Sequence, residues 1–289
     1  MQIGEMNFKV CSGERIKNMI CKVCDIKNEG SLEDAKLTLY LLEDSPEMMV
    51  HERPIIVICP GGGYHFLSDR EADIVAAQYV AMGYHAAVLR YSISPAVFPT
   101  AFLELGRSVM LLRQNAEEWH IDADRIFVSG FSAGGHLAAS YGMFWGREWA
   151  GEKLGAEPEM LRPNGMILCY PVITSGEFAH EGSFRNLLGD AYEEKKDRLS
   201  LENFVSAQTP PAFIWHTYED GDVPVQNSLL LVSEMVRQKI PVEFHMFEKG
   251  GHGLALASPV TQKSETDVRV FESAAEWMKL AGLWLKNFG

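Results

Sequence analysis

The chain has 289 residues, with 26 basic and 39 acidic side chains and a net charge of −13. That charge argues against nucleic acid as a partner, since such binding needs a positive surface that displaces phosphate counterions. It argues equally against docking on an anionic membrane. No apolar run approaches the roughly 20 residues of a transmembrane helix, and Met1-Gln2-Ile3-Gly4-Glu5 lacks the basic and apolar regions of a secretory signal. A globular, cytoplasmic protein is expected.

The first 45 residues alternate loosely, best in Ala35-Lys36-Leu37-Thr38-Leu39-Tyr40-Leu41, which predicts an antiparallel hairpin region. Ile55-Ile56-Val57-Ile58-Cys59 is a continuous apolar run, the pattern of a strand buried on both faces. Helical periodicity over 69–82 ends at Gly83, a strand is predicted over 84–90, and a long amphipathic helix over 102–119. Further strands are predicted at 125–129, 165–170, 212–216 and 242–247, and helices at 133–143, 227–238 and 264–285. Strands alternating with helices predict a mostly parallel sheet with helices on both faces. No polar linker divides the chain, so residues 1–289 read as one domain.

The stretch 174–208 breaks the rhythm, with scattered glycines, the charged run Glu193-Glu194-Lys195-Lys196-Asp197 and no strand. Such a segment, following the sixth predicted strand, reads as a lid-like insertion over a site, against the plainer reading of a surface excursion. The five cysteines, Cys11, Cys21, Cys24, Cys59 and Cys169, form an odd count that argues against a disulfide framework. Cys21 and Cys24 make a C-x-x-C in a strand-like context, without a second pair or nearby histidines to complete a zinc site. Buried or half-buried thiols are expected, and no metal.

Gly130-Phe131-Ser132-Ala133-Gly134 matches G-x-S-x-G, with a strand feeding in and a small-residue helix leaving. A strand-to-helix elbow exposes the serine hydroxyl at the carboxyl edge of the sheet, and the helix start behind it favours developing negative charge. The plainer reading is a phosphate-binding βα turn. Pro60-Gly61-Gly62-Gly63-Tyr64 follows the strand at 55–59, and its free backbone amides suit an oxyanion. Gly62, Gly63 and the amide of Ala133 are the candidate donors. A serine nucleophile needs a base oriented by an acid. His252, between Gly251 and Gly253, is the candidate base, whereas His216 and His136 are more easily explained by packing. The acid is expected among Glu219, Asp220 and Asp222, giving the chain order Ser132, acid, His252 of the α/β-hydrolases.

These four segments together resemble the esterase/lipase branch of the α/β-hydrolase fold, over roughly residues 30–285. Within it the chain looks most like bacterial acetyl-xylan-esterase-like and feruloyl-esterase-like enzymes. The pattern H-x-x-x-D-x-x-V-P falls on His216, Asp220, Val223 and Pro224, so the resemblance places the acid on Asp220. Cys59 stands where many relatives of the wider H-G-G-G group carry a histidine that supports the loop. Thr217 replaces a glycine common in peptidase relatives, which favours esterase.

The resemblance implies a serine carboxylesterase removing small acyl groups, acetyl foremost, from carbohydrates, with Ser132, Asp220 and His252 catalytic and no cofactor. The expected partner is a small-molecule or oligosaccharide ester, with no nucleic acid and no membrane; self-association into a homo-oligomer is left open. Tyr64, Phe184 and Arg185 are the candidate substrate-binding residues. An amidase or formamidase on the same scaffold, and a hydrolase-fold binding protein without turnover, are the alternative readings.

Overall fold

The computed structural model describes residues 15–16, 19–264 and 270–288. A nine-stranded sheet runs through them: β1 (Arg15–Ile16), β2 (Met19–Cys24), β3 (Lys36–Leu42), β4 (Arg53–Cys59), β5 (His85–Arg90), β6 (Ile121–Phe131), β7 (Gly165–Cys169), β8 (Ala212–Thr217) and β9 (Val242–Phe247). The spatial order is β1-β2-β3-β5-β4-β6-β7-β8-β9. The first three strands and β5 pair antiparallel, with Cys21 opposite Tyr40 and Leu37 opposite Leu89. From β5 to β9 every pairing is parallel. This is the α/β-hydrolase arrangement.

Residue type explains the division of labour. In β3 the alternating Leu37, Leu39 and Leu41 are buried while their neighbours are half-exposed, so one face of the strand meets the core. In β4 both faces are covered, and Ile55, Ile56, Val57 and Ile58 are wholly buried. Each such aliphatic side chain contributes about 1.5–3 kcal/mol of transfer free energy. One core lies under α2 (Thr100–Gln114) and α3 (Ala133–Phe144). The other lies under α1 (Asp73–Ala81) and the C-terminal helices.

Several boundaries differ from expectation. The helix predicted over 69–82 opens as a 3₁₀ turn, Asp69–Glu71, and α1 begins only after Ala72 leaves helical angles (φ −110°, ψ −116°). The helix predicted to 119 stops at Gln114, because 115–120 turn back to deliver Ile121 into β6. The closing helix is divided at Glu276 into α9 (Glu272–Ala275) and α10 (Trp277–Lys286); the predicted start at 264 falls partly outside the described residues. Short α4 (Glu148–Leu154) and α5 (Pro158–Leu161) precede β7. The 174–208 stretch holds α6 (Glu181–Leu188), α7 (Tyr192–Lys195) and 3₁₀ turns, and α8 (Gln226–Arg237) follows β8. Cys24, Cys59 and Cys169 are buried and Cys21 half-buried, with no disulfide among the described residues. Among those residues no helix is long and apolar enough to cross a membrane.

Candidate active site

The parallel strands end on one edge of the sheet, where open α/β sheets bind ligands. Ser132 follows β6, the glycine loop follows β4, Asp220 follows β8 and His252 follows β9. Four segments far apart in sequence therefore meet at one place.

Ser132 adopts φ 53° and ψ −118°, a conformation that costs a non-glycine residue about 1–3 kcal/mol. Its backbone is held from three sides: its N–H donates to the Cys169 carbonyl at 3.0 Å, and its own carbonyl accepts from His136 at 3.1 Å and Val172 at 3.0 Å. The flanking glycines are required by space. A Cβ on Gly130 would lie 2.0 Å from the Gly134 carbonyl oxygen, and one on Gly61 would meet Glu71 Oε2 at 2.7 Å and the Phe131 carbonyl at 2.8 Å.

The Ser132 hydroxyl lies 2.8 Å from His252 Nε2, and His252 Nδ1 lies 2.7 Å from Asp220 Oδ2. With the carboxylate on the Nδ1 side, that nitrogen carries the proton and Nε2 accepts from the hydroxyl. Asp220 is buried and has further donors: His216 Nε2 on Oδ2 at 3.2 Å, and the amides of Asp222 and Val223 on Oδ1 at 3.1 and 2.9 Å. Burial alone would raise its carboxyl pKa, but hydrogen bonds from His216 and His252 and their charge hold it well below the usual carboxylate range. Burial likewise acts to lower the His252 imidazole, and the Asp220 hydrogen bond and negative charge outweigh it, raising the base above its ordinary value.

Of the three candidate acids, Asp220 meets His252. Asp222 lines the cleft and gives Asp220 its amide. Glu219 takes Lys249 at 2.8 Å and the Gly250 amide at 3.1 Å, pinning the start of the histidine loop. His216, expected to serve packing, also orients Asp220; its ring is fixed by Ser228 at 2.8 Å and the Val223 carbonyl at 2.9 Å. His136 is a core histidine. It accepts from the Tyr64 hydroxyl, donates to the Leu199 carbonyl, and is pushed down to about 4 by burial.

Gly62 and Gly63 line the cleft beside Ser132, and both have positive φ (132° and 63°). At Gly62 a Cβ would collide with the Phe66 carbonyl at 2.0 Å. Ala133 opens α3, before the first intrahelical acceptor, so its N–H has no helical partner. Gly62 and Gly63 thus line the cleft with Ser132, and Ala133 follows the serine as the first residue of α3.

The candidate substrate-binding residues are placed differently. Phe184 is buried, its ring 5.1 Å from that of His136. Arg185 is exposed, paired with Glu181 and stacked 4.1 Å over Tyr192. Tyr64 is buried with its hydroxyl on His136. None of the three lines the cleft. In α6, helical periodicity turns Phe184 to the core and Arg185 to solvent. The residues that the insertion does contribute to the cleft of about 660 Å³ are His180, Gly182 and Asn186. Asn186 also donates to the Gly63 carbonyl at 2.8 Å, tying the insertion to the glycine loop. Sequence reasoning missed Glu71, a buried carboxylate behind that loop, because the predicted helix over 69–82 left it an ordinary first-turn acid.

The BD-FAE family model matches residues 43–235. The chain belongs to the BD-FAE family. Among its relatives, this BD-FAE chain is 35% identical over 216 residues to endo-1,4-beta-xylanase B of Butyrivibrio fibrisolvens, covering 72% of this chain and 33% of that protein. It is 30% identical over 238 residues to the acetylxylan esterase of Xylanibacter ruminicola, covering 77% of this chain and 47% of that protein. The chain thus spans between a third and a half of the length of these curated relatives. The crystal structure of an acetyl ester-xyloside bifunctional hydrolase from Caldicellulosiruptor lactoaceticus superposes with a TM-score of 0.74 at 38% identity, covering 87% of both chains.

Proposed function

We propose that this chain is a serine carboxylesterase that removes small acyl groups, acetyl foremost, from hydroxylated carbohydrate alcohols. The observation that carries this reading is the continuous relay from Asp220 through His252 to Ser132, with hydrogen bonds of 2.7 and 2.8 Å. The relatives named as an acetylxylan esterase and an acetyl ester-xyloside hydrolase support the choice of acyl group and alcohol.

In the reaction, Ser132 Oγ bonds to the ester carbonyl carbon while His252 Nε2 takes its proton. The carbonyl oxygen becomes an oxyanion facing the amides of Gly62 or Gly63 and Ala133. Each such donor stabilises the transition state by about 3 kcal/mol. Collapse breaks the bond to the alcohol oxygen, which leaves with the proton from His252. Water, deprotonated by the same imidazole, then adds to the acyl-enzyme and releases the acid and free Ser132. Asp220 remains ionised throughout and stabilises the imidazolium. These steps draw on no metal or organic cofactor.

The insertion at 174–208 contributes His180, Gly182 and Asn186 to the cleft and is tied to the glycine loop through Asn186, and in this reading it is the lid that receives the alcohol. The test is labelling by a fluorophosphonate, followed by a panel of acetyl, butyryl and feruloyl esters and acetylated xylo- and manno-oligosaccharides. Labelling at Ser132 with fastest turnover of acetyl esters is expected. A wild-type protein that neither reacts with the probe nor turns over any ester refutes the reading.

A further inference from the structure

We propose that Glu71 is a positioning residue that sets the glycine loop and the histidine loop against each other and adds a further negative charge near His252. The proposal rests on the serine-esterase reading and goes beyond it, to a side chain outside the triad and the oxyanion donors.

Glu71 is 3% exposed and ends the 3₁₀ turn Asp69–Glu71. The break at Ala72 lets its side chain turn inward instead of following the surface of α1. Both carboxylate oxygens are engaged. Oε2 accepts the Gly61 amide at 2.9 Å, and Oε1 accepts the Tyr170 hydroxyl at 2.7 Å. The Tyr170 oxygen in turn accepts the Ala255 amide at 2.8 Å, three residues beyond His252, and the Tyr170 ring stands edge-on to the His252 ring at 5.2 Å. The preceding residue reaches the same loop, because Arg70 donates to the carbonyls of Gly253 (2.8 Å) and Thr261. Residues 70 and 71 therefore grip both loops: Gly61 on the oxyanion side, Gly253 and Ala255 on the side of the base.

Two consequences follow. Fixing the Gly61 amide fixes the direction in which the next two amides point, and a misplacement of about 1 Å in such a site costs around a hundredfold in rate. The second consequence is electrostatic. The groups facing His252 are Asp220 and Asp222 from the acid turn, Glu71 from the 3₁₀ turn, His180 from the insertion and the Tyr170 ring. Against the lowering effect of burial, Asp220 acts first to raise the imidazole, and Glu71 adds to it through space.

The experiment compares wild type, Glu71→Gln and Tyr170→Phe on p-nitrophenyl acetate, with active sites counted by fluorophosphonate and folding followed by circular dichroism. Glu71→Gln keeps the shape, removes the charge and replaces one acceptor oxygen by an NH2 donor, so Gly61 and Tyr170 can no longer both donate to it. The expected result is a fall in kcat of about ten- to a hundredfold with KM within about twofold, and an acid limb of kcat/KM moved to lower pH. Tyr170→Phe breaks the tie to Ala255 and leaves the charge, so kcat falls less and the acid limb stays in place. Wild-type kcat in either variant, or a Glu71→Gln loss without movement of the acid limb, overturns the proposal. Should Glu71→Gln fail to fold, a fall in kcat at unchanged KM in Tyr170→Phe supports the clamp and an unchanged kcat refutes it. A wild-type protein inert to ester and probe alike overturns the esterase reading and this proposal with it.

Discussion

Gly134, in the first turn of α3, packs against the carbonyl of Cys59 at the end of β4: a Cβ added there would lie 2.1 Å from that oxygen. The elbow that carries Ser132 and the loop that carries the candidate oxyanion donors are therefore in backbone contact, with no side chain between them to give way.

Gly134→Ala is accordingly expected to lower stability by about 3 kcal/mol or more, since overpacking against backbone can be relieved only by moving a strand or a helix. Gly221→Ala is the control, because nothing lies within 4 Å of its Cβ and its φ is not positive. Thermal unfolding of the two variants checks this; equal melting temperatures would show that the contact is loose.

Ser132→Ala is expected to abolish ester turnover while leaving the melting temperature close to that of wild type, as it removes one hydroxyl and no packing atom. Asp220→Asn is expected to reduce kcat about 10⁴-fold by holding the imidazole in the wrong tautomer. Asp222→Asn keeps the backbone amide that serves Asp220, and a loss of no more than a few-fold is expected. Steady-state kinetics of the three variants on an acetyl ester tests the ordering. A Ser132→Ala protein with a tenth of wild-type activity, or an Asp222→Asn protein as impaired as Asp220→Asn, contradicts the assignment.

Much of this site was legible in the sequence because its chemistry is carried by residues that punctuate the chain. The glycines around Ser132, Gly62 and His252 stop strands, and each stop lies on the carboxyl edge of a parallel sheet, so reading the strands located the site. What the sequence hid depends on direction. Phe184 and Arg185 differ by one position in α6, and their fates, buried against His136 and exposed over Tyr192, follow from which face of a short helix meets the core. Glu71 was hidden for a related reason. A helix running unbroken from 69 would have left it at the surface, and the backbone angles of Ala72 turn it inward. His216 read as a core residue because a strand end and a ligand to an acid look alike until Asp220 is placed beside it.

The pH dependence separates activity from stability. His252 acts as base only when neutral, and its pKa is raised above the ordinary 6.5, so the acid limb of kcat/KM is expected to have its midpoint above 6.5. For stability the signs are opposite. The raised His252 stabilises the fold fully below 6.5, and this contribution fades as pH rises through the folded-state value. The lowered Asp220 stabilises above its ordinary 3.8, and this contribution fades as pH falls below it. At about pH 5 the protein is therefore expected to be folded, poorly active and restored at once by neutralisation. Unfolding curves and a pH-jump assay check this; activity that returns only after refolding would contradict it.

Choice of alcohol is expected to depend on His180. Its Nδ1 lies 3.3 Å from the Ser183 amide, which it accepts as the N-cap of α6, and 2.8 Å from the Ser183 hydroxyl. Burial, with the positive charge of a protonated His252 added, disfavours its own protonation. The ring is thus neutral, and Nε2 carries the proton on a residue that lines the cleft with Ser132, a donor suited to a sugar hydroxyl. An aryl acetate has no hydroxyl to receive it. His180→Ala is therefore expected to reduce turnover of an acetylated xylo-oligosaccharide by about tenfold, the worth of one hydrogen bond of roughly 1–1.5 kcal/mol, and p-nitrophenyl acetate by much less. Arg185→Ala, at the solvent face, should leave both rates unchanged. Phe184→Ala removes a buried ring and should lower stability by about 3–5 kcal/mol, reducing both activities together. Equal losses on the two esters in His180→Ala would remove the insertion from alcohol recognition and leave it a support for the glycine loop through Asn186.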